Sequence, residues 1–121
     1  MVPARYMARI ADGVLAEALA VSGAVQVKGP KWCGKTATSL QQAASIVYLQ
    51  DPDRSASYLA LADAKPSALL EGRTPRLIDE WQMAPQLWDA VRFAVDLRGE
   101  PGQFILTGSA VPFQDDASGR L

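Results

Sequence analysis

The sequence contains no histidine. That removes histidine-based catalytic triads, imidazole proton shuttles and most zinc sites at once. Cys33 is its one cysteine. No intrachain disulfide can form, which suits a reducing compartment. Neither sign of charge is in excess: 12 Lys and Arg stand against 13 Asp and Glu, for a net charge of -1. A nucleic-acid coat would carry a basic balance, so nucleic acid is not supported as a partner. No apolar run approaches the roughly 20 residues needed to span a bilayer. Arg5 and Arg9 lie near the N-terminus, but no unbroken apolar stretch follows them before Asp12, so no secretory signal is expected. With 49% hydrophobic and 21% charged residues in 121, the chain is neither a disordered tail nor a fibre. The expectation is one small cytoplasmic domain with no membrane partner.

What is present is an alternation of short apolar strands with helices. Residues 1–11 are mixed and read as a loosely ordered start. Val14, Leu15, Ala18 and Leu19 recur at helical spacing, with Asp12 as cap and Gly23 as stop. Residues 24–27 read as a buried strand, 36–44 as a helix and 45–50 as a β-branched strand. Helices are expected over 53–62 and 66–70, the second opened by proline. Residues 76–79 read as a third strand, 85–97 as an amphipathic helix and 103–107 as a fourth strand. Every gap between strands is long enough for a parallel crossover. The pattern implies an α/β fold, a mostly parallel sheet between two helical layers. The core spans 9–110, and 111–121 form a frayed polar tail.

Three groups of residues carry chemistry. Gly29, Pro30, Lys31, Trp32, Cys33, Gly34, Lys35 and Thr36 fit G-x-x-x-x-G-K-[ST] between an expected strand and an expected helix. The glycines let backbone N–H groups converge on one anion, and the helix start adds a favourable dipole. Lys35 would meet the outer phosphates, and the Thr36 hydroxyl can ligate Mg²⁺. Leu77–Ile78–Asp79–Glu80 is an apolar strand ending in two carboxylates. Alone it could be a solvated strand end. Behind a phosphate loop, Asp79 fits the carboxylate that holds Mg²⁺, and Glu80 fits the base that polarises water. The strand 104–106 ends in Thr107–Gly108–Ser109. A polar side chain there could contact the terminal phosphate, with Ser109 the first choice and Thr107 the second. Cys33, beside a helix start, has the setting that lowers a thiol pKa, although an incidental small residue is the simpler reading.

These motifs resemble the ASCE branch of P-loop ATPases: a Walker A loop, a DE-type Walker B strand and a polar strand tip. GPKWCGKT, RLIDEWQ, WDAVRFAVD and FILTGSA are similar to bacterial and archaeal AAA-type ATPases whose ATPase domain precedes a C-terminal domain of unknown function. The resemblance covers about Tyr6 to Pro112. It implies ATP and Mg²⁺ as cofactors, Lys35 on phosphate, Thr36 and Asp79 on the metal, Glu80 as water activator and Ser109 as sensor. Gln82 belongs to it without an assigned role. Relatives of this type have core strand order 5-1-4-3-2, whereas this chain ends soon after its fourth expected strand. An N-terminal piece of a longer ATPase is therefore expected, with weak or absent turnover by itself. Its phosphate-loop strand would then be a sheet edge, prone to self-association or to covering by another segment. A non-hydrolysing nucleotide-binding module that a protein partner reads is the alternative. A small kinase would need a basic lid after the fourth strand, where only Arg120 remains.

Overall fold

The computed structural model describes residues 7–10, 15–29 and 35–109. Five short runs pair side by side: β1 (Met7–Ile10), β2 (Ala24–Gly29), β3 (Ser45–Tyr48), β4 (Arg76–Asp79) and β5 (Phe104–Ser109). Their order is β1-β2-β5-β4-β3, and every pair is parallel. The central strands are continuous apolar runs because both of their faces are covered. Alternation along each strand splits them between two cores. Ala24, Val47, Ile78, Phe104 and Leu106 pack with Leu69, Leu87, Val91 and Val95. Val25, Val27, Leu77 and Ile105 pack with Leu15 and Leu19.

Helices α1 (Leu15–Val21) and α2 (Lys35–Gln42) cover the second face, and α3 (Ser55–Ala64), α4 (Pro66–Leu69) and α5 (Gln86–Arg98) cover the first. This division follows from handedness. The chain steps one way across the sheet from β1 to β2 to β3, then reverses through β4 to β5. Right-handed crossovers in opposite directions put their helices on opposite faces. The result is the expected three-layer α/β architecture.

Helix α5 buries Leu87, Val91 and Val95 at four-residue spacing, while Asp89, Arg92 and Asp96 lie exposed. Gly99 ends it at φ 68°, and its N–H reaches the Val95 carbonyl at 2.9 Å. At the strand-start edge of the sheet, Arg76 Nε donates to the Leu69 carbonyl at 2.7 Å and Nη1 to Ser45 Oγ at 3.1 Å. Burial pulls that guanidinium below its ordinary pKa. Arg98 lies over the Phe104 ring at 5.0 Å and donates to Gln103 Oε1 at 3.0 Å. It is therefore tied to the edge opposite the strand ends. No helix among the described residues is long and apolar enough to cross a membrane.

Two expectations need correction. Residues 7–10 are a strand rather than a loosely ordered start, with Met7 opposite Ala24 and Ile10 opposite Val27. The phosphate-loop strand β2 is consequently interior, bonded to β1 on one side and β5 on the other. A segment N-terminal to the motif fills the position that the expected strand order leaves beside it. Among the described residues the edges of the sheet are β1 and β3.

Candidate functional site

All five strands run the same way, so their C-terminal ends share one rim. Ligands of open α/β sheets gather at that rim where the strand order reverses. Here Ile10, Val27, Thr107, Asp79 and Tyr48 lie in one register layer just below it. The Gly-rich motif begins at the rim. Gly29 closes β2 opposite Ser109 of β5, and Lys35 opens α2. The strand before and the helix after the motif are thus both in place. Pro30, Lys31, Trp32, Cys33 and Gly34 lie outside the described residues, as do the side chains of Lys35, Thr36 and Ser109.

Asp79 ends β4 and is 9% exposed. Alternation puts it with Leu77, on the sheet face that α2 covers. Thr107 shares that face. Its hydroxyl donates to Asp79 Oδ1 at 2.7 Å and accepts the Glu80 N–H at 3.4 Å. One hydroxyl therefore links both members of the acidic pair.

The backbone turns sharply after Asp79. Glu80 adopts the left-handed conformation at φ 61° and ψ 52°, which costs an L-residue roughly 1–2 kcal/mol. A single 3₁₀ turn, Trp81–Met83, follows and is closed by Met83 N–H to the Glu80 carbonyl at 3.1 Å. Trp81 packs against Trp88 of α5 with ring centroids 4.8 Å apart, so both tryptophans anchor the turn to the core. Glu80 is 4% exposed. Gln82 Nε2 donates to its Oε1 at 2.6 Å.

The turn presses against β5 at Gly108. A β-carbon there would stand 2.6 Å from Gln82 Oε1 and 3.2 Å from Trp81 Nε1. Only glycine leaves this room. Gln82 Oε1 is itself buried without a hydrogen-bond partner among the described residues.

Asp79, Glu80 and Thr107 are thus brought together as the sequence suggests, and the second choice at the tip of β5 is the residue bonded to Asp79. Gln82 and Gly108 are what the sequence reading left without a role. The signal for Gln82 was its place in the resemblance, two positions after Glu80.

Asp79, Glu80 and the Thr107 hydroxyl gather oxygen atoms at the strand ends. Oxygens of this kind are what a hard cation takes. This fold and rim define the P-loop class of nucleotide-binding domains. The family model described as "AAA domain" matches residues 22–119. The chain belongs to that family of AAA domains. No curated protein and no solved structure matches it.

Proposed function

We propose that this domain binds Mg²⁺–ATP and that the intact protein hydrolyses its β–γ bond. The backbone of 29–34 cradles the phosphates, Lys35 neutralises the outer ones, and Thr36 and Asp79 hold Mg²⁺. Glu80 takes a proton from the attacking water, which then adds to the terminal phosphorus as ADP leaves. Ser109, opposite Gly29 in the strand register, is the sensor of the terminal phosphate. Thr107 fixes Asp79. The carrying observation is the buried pair Asp79–Glu80 at the end of β4, joined through Thr107 to the strand beside the Gly-rich motif. The single cysteine suits a cytoplasmic location.

Calorimetry with Mg²⁺–ATP tests the binding half, with Lys35→Ala as control and ADP and GTP alongside. Saturable binding that Lys35→Ala abolishes supports the reading, and a folded chain that binds none of them overturns it. Hydrolysis that Glu80→Gln removes separates an ATPase from a module that only binds nucleotide.

A further inference from the structure

We propose that the outer face of α5 is a docking surface for an amphipathic helix of a partner protein, one whose flank carries lysine or arginine. The inference does not depend on the ATPase reading.

Helix α5 has two apolar stripes where a helix that covers a sheet needs one. Leu87, Val91 and Val95 are buried in the first core. On the opposite side Phe93 and Leu97 are 70% and 75% exposed, more than any other large apolar side chain among the described residues. With Gln86 and Ala90 they follow 4-3-4 spacing, the seam by which one helix packs along another. Scattered exposed leucines are ordinary. Positions at seam spacing offer a second helix one continuous track.

Charge chooses the occupant. Asp89 and Asp96 lie four before and three after Phe93, so both stand beside the seam. Arg92 lies between them on the side away from it, and all three are exposed. The other cation of α5, Arg98, is held by Phe104 and Gln103. At the Gln86 end, Asp63 of α3 accepts from Gln86 Nε2 at 2.7 Å and adds a further negative charge. A second copy laid antiparallel on this seam would set Phe93 over Ala90 without conflict. It would also face Asp89 with Asp96 and Arg92 with Arg92, and like charges opposite one another disfavour that pairing. A helix with Lys or Arg at the matching flank positions meets opposite charge along the same track. The 13 residues of α5 extend only about 20 Å, so the contact is smaller than the roughly 800 Å² per partner of a standard interface and is weak and reversible.

The probes are two labelled peptides of about 18 residues with the same leucine seam, one flanked by lysine and the other by glutamate. Fluorescence anisotropy follows their binding to the full 121-residue chain, to Phe93→Ser combined with Leu97→Ser, and to Asp89→Lys. Asp96 has a partner within the chain, so the charge test is made at Asp89. Sedimentation velocity of the chain alone runs alongside. The expected dissociation constant for the lysine peptide is about 10–300 µM, with the glutamate peptide at least about tenfold weaker. The double serine variant should bind the lysine peptide about tenfold more weakly at an unchanged melting temperature, because both side chains are exposed. Asp89→Lys should shift the preference toward the glutamate peptide by about fivefold. No saturation by the lysine peptide up to about 1 mM overturns the proposal. So does equal binding of the two peptides by the parent, or parent-like binding by the double serine variant. A parent chain that sediments as a dimer and becomes monomeric in the double serine variant assigns the face to a second copy and overturns it as well.

Discussion

The Thr107 hydroxyl donates to Asp79 Oδ1 at 2.7 Å, joining β5 to β4 by a side-chain bond just below the strand ends. A hydroxyl has one proton to donate and two lone pairs. At Thr107 the proton goes to the carboxylate, and one lone pair meets the Glu80 N–H at 3.4 Å. Asp79 is thereby fixed in place by the neighbouring strand.

Removing that hydroxyl leaves a buried carboxylate short of a donor. Thr107→Val keeps the branched shape and should cost about 1–3 kcal/mol of stability. Thr107→Ser keeps the hydroxyl and should lose only about 1 kcal/mol for the missing methyl. Urea denaturation of the three proteins should rank parent above serine above valine. A valine variant as stable as the parent would mean that the bond contributes nothing.

Asp79 should matter more for metal than for folding. Asp79→Asn keeps an oxygen that can accept from Thr107 and removes the negative charge. In excess EDTA, ATP affinity should be the same for parent and variant. Adding Mg²⁺ should tighten binding to the parent and have little effect on Asp79→Asn, because a neutral amide oxygen is a poorer ligand for a hard cation. Equal magnesium dependence in the two proteins would remove Asp79 from the metal site.

Much of this architecture was legible from local pattern. Leu77–Ile78 and Ile105–Leu106 are apolar on both faces and bounded by breakers, which is how a buried parallel strand reads. Leu87, Val91 and Val95 give the buried stripe of α5 directly. The strand Met7–Ile10 was not legible. Four residues with an arginine among them carry no strand signal, and pairing with β2 makes them one. The acidic pair and Thr107 were readable because strand ends have fixed neighbours in a parallel sheet. The Gln82–Glu80 bond was not, because it depends on a left-handed glutamate, and no residue type at position 80 announced one.

That left-handed residue gives a stability prediction of unusual sign. Glycine in ordinary positions is less stable than alanine by roughly 0.5–1 kcal/mol. At Glu80, with φ 61°, alanine would keep the clash between β-carbon and backbone and glycine would relieve it. Both substitutions lose the carboxylate equally. Glu80→Gly should therefore be more stable than Glu80→Ala by about 1 kcal/mol in chemical denaturation. Alanine equal to or better than glycine would show that the turn relaxes once the side chain is gone.

Gly108 tests the coupling between β5 and the turn. A β-carbon there would lie 2.6 Å from Gln82 Oε1, so one of the two must shift. The end of a flexible side chain yields before backbone does, so Gly108→Ala should displace the Gln82 amide from Glu80 and destabilise the fold by about 1–3 kcal/mol. Shortening the obstructing side chain should return part of that loss. The double variant Gly108→Ala with Gln82→Ala should be more stable than the sum of the single effects by at least about 0.5 kcal/mol. The recovery should stay incomplete, since Trp81 Nε1 at 3.2 Å from the same β-carbon still confines it. Strict additivity in this cycle would mean that β5 itself moves to accept the methyl. The close approach of Gly108 to Gln82 would then have no part in holding the glutamate.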